Sequence, residues 1–149
     1  MKLETRDIFA GTAILVSVVT FALSYLHTWR SSILSIKPVL VFAYDGGRGW
    51  ALRNVGNGPA LNIIVAEKPL NSEWTNPIRI PPIPKEGEFV LCWLGHTNIS
   101  GLGATYTDFR NRPYSATCQK DLSRTFDGLT LPSWTEDQLG KHWEQPGCH

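Results

Sequence analysis

The sequence predicts an all-β domain, a sandwich of about seven short strands, carried on one N-terminal transmembrane α-helix. Three observations predict it. An uncharged apolar run extends from Ile8 to Trp29. From Val39 onward, short segments rich in β-branched and aromatic residues recur. Clusters of Gly, Pro and Asn separate those segments every 8–12 residues or so, with no long amphipathic helical pattern between them.

The chain has 149 residues. Setting aside the membrane run leaves roughly 115, the usual size of one domain with one core. The expected organisation is a short tail (1–7), a spanning helix (8–29), a linker (30–38), the β domain (39–132) and a C-terminal tail (133–149). Lys and Arg number 14 against 13 Asp and Glu, a formal net charge of +1 with both signs scattered. A nucleic-acid partner needs a basic stripe to release counterions from phosphate, and the sequence has none.

At 1.5 Å per residue, Ile8–Trp29 spans about 33 Å, enough for a hydrocarbon core of about 30 Å. Asp7 and Arg30 close the run, and Tyr25 and Trp29 suit the lipid–water boundary. Ala22-Leu23-Ser24 loosely suits a signal peptidase, but the run is longer than a signal core. Ala13 and Ser17 make a small-xxx-small pair at which another helix could pack closely. The expected location is the inner or cell membrane. Basic residues flank the run almost equally, so the periplasmic or extracytoplasmic side is expected chiefly because the N-terminal tail is short.

Pro38 stops any continuing helix. Strands are then expected over 39–44, 50–55 and 60–66, with turns at Asp45–Gly49 and Gly56–Pro59. Residues 67–87 carry half of the ten prolines and read as an irregular crossing. A nearly continuous apolar run predicts a fourth strand over Glu88–Leu94. Gly101-Leu102-Gly103 reads as loop punctuation, 104–109 and 113–118 as a hairpin, and a seventh strand is expected near Arg124–Thr130. In the tail, Thr135 reads as the N-cap of one helical turn, with Glu136 and Asp137 behind it.

Two phrases carry a family resemblance. Leu52-Arg53-Asn54-Val55-Gly56-Asn57-Gly58-Pro59-Ala60-Leu61-Asn62-Ile63 resembles the N-x-G-x-G-P-A-x-N-I phrase of small bacterial single-pass membrane-anchored proteins. Tyr106 to Tyr114 is similar to the hairpin that follows it there, with Asn111 in place of a turn glycine. The resemblance covers about half of the globular part. It implies an immunoglobulin-like β-sandwich on a single helix, in a family whose function is generally unassigned. Gly56 and Gly58 are expected to supply positive φ, and Asn54 or Asn62 to hydrogen-bond loop backbone.

Residues able to carry chemistry are sparse. The histidines are His27, His96, His142 and His149. His96 has Thr97, Asn98 and Ser100 around it but no nearby nucleophile or carboxylate, so no catalytic residue is assigned and the chain is not expected to be an enzyme. No cofactor is expected. His142, Cys148 and His149 are weak metal candidates, because imidazole and thiolate suit zinc or copper although their spacing fits no established pattern. Gly101-Leu102-Gly103 lacks the third glycine of a nucleotide fingerprint. Cys92 and Cys118 both fall in strand-like segments: they are either bridged, if the domain lies outside the cytoplasm, or two small buried residues. Trp50 and Trp93 read as core.

Trp29, Trp74, Trp134 and Trp143 stand at the helix end, in the proline-rich crossing and in the tail. There, large aromatic area serves either packing or contact with a partner or the bilayer. The expected function is a non-catalytic membrane-anchored accessory or scaffolding subunit of a larger complex, of the respiratory or photosynthetic reaction-centre and light-harvesting kind. Its partners would be integral membrane subunits and lipid. The alternative is a tethered ligand- or metal-binding module.

Overall fold

The computed structural model describes residues 5–34, 36–95, 99–120 and 122–147, with 5–11 and 32–34 described by backbone only. The chain divides into two compact units at the 35/36 boundary.

The first unit is a helix, α1 (Thr5–Leu34). Within it, Thr12–Ser31 is long and apolar enough to cross a membrane, and none of it is buried. Three of its hydroxyls bond back to the helix itself. Ser17 donates to the Ala13 carbonyl at 2.9 Å, Thr20 to Val16 at 2.8 Å and Thr28 to Ser24 at 2.9 Å. Such back-bonding to the preceding turn lets polar side chains sit in an apolar surrounding.

The second unit is mostly β. Its strands among the described residues are β1 (Leu40–Asp45), β2 (Gly49–Asn54), β3 (Leu61–Pro69), β4 (Thr75–Arg79), β5 (Glu88–Val90), β6 (Ile99–Thr107), β7 (Pro113–Gln119), β8 (Leu122–Asp127) and β9 (Gly140–Lys141). They form a three-stranded sheet of order β1-β2-β5 and a six-stranded sheet of order β8-β7-β6-β3-β4-β9. All pairs are antiparallel except β4–β9. The two sheets share one core. Leu40, Phe42 and Leu52 come from the smaller sheet, and Ile63, Val65, Ile78, Leu102, Ala104, Tyr106 and Ala116 from the larger. Alternation decides which side chains enter it: on β7, Tyr114, Ala116 and Cys118 face inward while Thr117 and Gln119 do not.

All seven expected strands are present, with three differences. The run from Glu88 to Leu94 is not one strand: β5 ends at Val90, and the Leu94 N–H turns back to the Leu91 carbonyl at 3.0 Å. Leu91 and Leu94 are still core residues, so apolarity there reflected burial and not extension. The proline-rich stretch contains β4, which pairs with β3 and β9; Pro77 falls at the irregularity in the β3 pairing and is matched to no residue of β9, so its missing N–H is tolerated. Gly101 and Gly103 lie inside β6 and not in a loop.

The corner after β2 is held by Asn54, which is fully buried. Its side-chain oxygen accepts from the N–H of Val39 (3.2 Å) and of Gly56 (3.0 Å). Its amide donates to the carbonyls of Gly58 (2.8 Å), Ile83 (3.2 Å) and Pro84 (3.2 Å). Gly56 and Gly58 are needed here for space, and neither has positive φ. A Cβ on Gly56 would collide with the Val39 nitrogen and the Lys37 carbonyl, and one on Gly58 with the Ile36 carbonyl. Positive φ falls instead on Asn62 (51°) and, in the β6–β7 turn, on Asn111 (59°).

That second turn is built on Asp108, 1% exposed. Its carboxylate accepts from the N–H of Arg110 (2.8 Å) and Arg112 (2.9 Å), and from the Tyr114 hydroxyl (3.3 Å). Tyr106 stacks on Tyr114 with ring centroids 5.7 Å apart, and its oxygen accepts from the Leu40 N–H at 3.3 Å. Burial pushes the Tyr106 hydroxyl up to about 12 from 10.0. Burial, and then the charge of Asp108, raises Tyr114 as well.

Two outcomes follow for the full-length chain in detergent. Asn54→Ala strands several buried backbone groups and is expected to lower the unfolding free energy by about 3 kcal/mol or more, read from urea midpoints. An unchanged midpoint would show that the corner holds itself. Because folding keeps the phenols neutral, the folded protein retains protons that the unfolded chain releases near pH 10. Stability is thus full below pH 10 and is lost as pH rises toward 12. The melting temperature should fall across that window and fall less in Tyr106→Phe; an identical alkaline slope in the variant contradicts the assignment.

Candidate functional site

The outer face of the six-stranded sheet carries an open concavity. Directly opposed residues share a face of a sheet. On that rule, Arg124 of β8, Thr117 of β7, Gly103 of β6 and Ala66 of β3 form one row across the outer face. Leu122, Gln119, Gly101 and Lys68 form the next. Glycine at 101 and 103 lowers the middle of the face. A Cβ on Gly103 would stand 2.5 Å from Leu131 and 2.9 Å from the Trp74 ring, so Trp74 and Leu131 lie down on β6 where a side chain would otherwise project. Ala66 (0% exposed) and Thr105 (6%) are covered on the same side.

Between Trp74 and β8 this leaves a groove of about 540 Å³. Trp74 forms one wall, Leu122, Arg124 and Phe126 the other, and Thr117 and Gln119 lie along the floor. Lys120 closes one end. Lys68 sits over the Trp74 ring, its ammonium 5.7 Å from the centroid. The groove is thus aromatic and cationic, and no carboxylate is among the described residues that line it. Of the tryptophans singled out as contact candidates, Trp74 is the one in this groove. It is half-buried on β6.

The C-terminal segment is not a pendant tail. Gly140 and Lys141 pair in parallel with Ile78 and Arg79 of β4. Arg79 holds Glu136 through two contacts of 2.6 and 2.8 Å. The expected turn after Thr135 is present as a 3-10 turn over Glu136–Gln138, where the Gln138 side chain accepts from the Thr135 N–H at 3.0 Å. A second depression of about 410 Å³ lies between this segment and Pro81-Pro82, with His142 and Trp143 on its rim. Trp143 is 59% exposed, whereas Trp134 is half-buried. His142 packs edge-on to both Phe89 and Trp143, at 5.3 and 4.8 Å between centroids, with Nδ1 3.4 Å from the Arg79 carbonyl. Cys148 and His149, its expected companions as metal ligands, lie outside the described residues, as does His96. No cluster of three His, Cys, Asp or Glu occurs among the described residues.

The cysteine expectation is corrected. Cys92 is disulfide-bonded, yet Cys118 remains a buried thiol, so the two are not bridged to each other. Cys118 points into the core from the middle of β7, while Cys92 is exposed in the turn that ends β5 early. On α1, Ala13, Ser17 and Trp29 are all exposed, Trp29 at 52%.

The glycine pair was visible in the sequence but had no meaning without its neighbours. Gly101 and Gly103 are two apart on one strand and so lie on one face, which only pairing with β3 and β7 turns into a floor. No family model, no curated protein and no solved structure matches this chain.

Proposed function

We propose that the chain is a non-catalytic accessory subunit of a larger membrane complex, anchored by α1 and touching its neighbours through the β domain. One observation carries the reading. Phe21, Leu23 and Ile14 are 74, 63 and 66% exposed, and no stretch of Thr12–Ser31 is buried. Apolar surface left in water forfeits roughly 25 cal/mol per Å², so a helix of this kind requires lipid or an apolar partner.

The finer fold is immunoglobulin-like on this reading. Taking β1 to β7 as strands A, B, C, C′, E, F and G, the observed orders become A-B-E and G-F-C-C′. β8 is then an added strand beyond G, and β9 one beyond C′. The resemblance carried by Asn54–Ile63 supports the same assignment.

The β domain lies on the extracytoplasmic side. The disulfide at Cys92 supports this placement, because such bonds persist in oxidising compartments. Cys118 is not in that bond, and Cys148 is the one other cysteine in the sequence.

Tagged chain purified in mild detergent from its own membranes is expected to retain one or more integral membrane proteins in fixed stoichiometry. Recovery as a lone monomer at every step would overturn the subunit reading. Peptide mapping of freshly alkylated membranes without reductant should return residues 92 and 148 on one linked pair. Finding both as alkylated thiols would put the domain in the cytoplasm.

A further inference from the structure

The six-stranded sheet ends differently on its two sides. Beyond β4, the C-terminal segment covers the edge through β9 and the Arg79–Glu136 pair. Beyond β8 no strand follows among the described residues. Every residue of β8 is exposed, on both faces. Natural sheets shorten, cover or charge such an edge, since its unpaired backbone groups are a template for another strand.

The ladder shows which groups are unpaired. The Asp108 N–H bonds to the Arg112 carbonyl, and the Gly128 N–H to the Pro113 carbonyl. Antiparallel pairs alternate between bonded and non-bonded, so even-numbered residues of β7 bond to β6 and odd-numbered ones to β8. Leu122, Arg124 and Phe126 therefore spend their backbone groups on β7. Ser123, Thr125 and Asp127 turn theirs outward along the edge. The groove side chains Leu122, Arg124 and Phe126 stand beside that row, across from Trp74.

Charge selects the occupant. Lys120 and Arg124 make no ion pair among the described residues, and no carboxylate is among the described residues of the groove wall. A second copy of the chain would bring another Arg124 and Lys120 to the same edge, while the carboxylate at the end of β8, Asp127, is already engaged by Lys37. An acidic strand would meet cations instead.

We infer that β8 is a docking edge for an extended acidic segment of a neighbouring protein. The segment adds to the sheet as a further strand, sets its carboxylates against Lys120 and Arg124, and lays an apolar side chain between Trp74 and Phe126. Backbone bonding gives such β-augmentation its affinity and the side-chain groove its selectivity. The inference rests on the subunit reading and names the part of the surface that the partner uses.

The test uses full-length protein in detergent and a ten-residue peptide of alternating Glu and Val, with a Lys–Val peptide as control. The acidic peptide is expected to bind saturably and to shift tryptophan emission, and the shift should vanish in Trp74→Phe. Arg124→Glu should weaken binding about tenfold or more. Thr125→Pro should do the same by removing an outward N–H that β7 does not use, while circular dichroism stays unchanged. Equal binding by both variants, or equal binding of the basic peptide, overturns the inference, as does concentration-dependent dimerisation that Thr125→Pro abolishes. Partners that co-purify undiminished with Arg124→Glu and Thr125→Pro would leave the subunit reading standing and remove this edge from it. Peptide binding by a protein recovered only as a monomer would do the reverse.

Discussion

Five hydrogen bonds from one buried carboxamide decide how the β domain is assembled. Asn54 ends β2, yet its side chain bonds the backbone before β1, the turn into β3 and the proline segment before β5. It thereby ties the edge of the smaller sheet to the entry of the larger one. An amide suits this place because it donates and accepts from one rigid plane, and in a low-dielectric interior each unmet group would be costly. The neighbouring glycines serve the same junction. Without a Cβ at 56 or 58, the chain at Ile36–Val39 approaches closely enough for the bonds to close.

A similar trade of side chain for space shapes the outer face of the larger sheet. Gly101 and Gly103 give up packing on β6: Gln119 lies over the first, and Trp74 and Leu131 occupy the room left by the second. An indole laid flat on a glycine strand is fixed by the strand beneath it and still presents one edge to solvent. This places a rigid aromatic wall beside an uncovered strand, which is the arrangement a binding groove requires. The opposite edge shows the contrast: there the chain's own C-terminal segment supplies the covering strand.

The buried polar groups have structural duties. Asp108 gathers two N–H groups and a phenol to make a turn. Ser115 joins the Gly128 carbonyl and the Thr130 N–H, fixing the exit from β8. Tyr106 completes the contact between the sheets through the Leu40 N–H. These groups are spent on loops and strand ends, and the features left facing outward in the groove beside β8 are aromatic, cationic and backbone in character. Those features suit recognition of another chain.

The sequence by itself determined the apolar helix, the seven strands with strong β-branched or aromatic content, and the two turns built on Asn54 and Asp108. These are local properties: length, alternation and turn chemistry are written in consecutive residues. Even there, the reason for Gly56 and Gly58 was legible only in outline, because the collision they avoid is with residues about twenty positions earlier. Tertiary structure alone decided the rest. β4 is a strand because β3 lies beside it, and β9 because β4 does; neither has the pattern to be one alone. Leu91 and Leu94 are apolar for a core they reach from a turn. Cys92 and Cys118 share strand-like surroundings in sequence, yet one points inward and one outward. Gly101, Gly103, Trp74 and Arg124 form a groove only because antiparallel pairing aligns segments up to about fifty residues apart. Chain separation of that kind carries no periodic signal, since contact across a sheet is set by register and not by spacing.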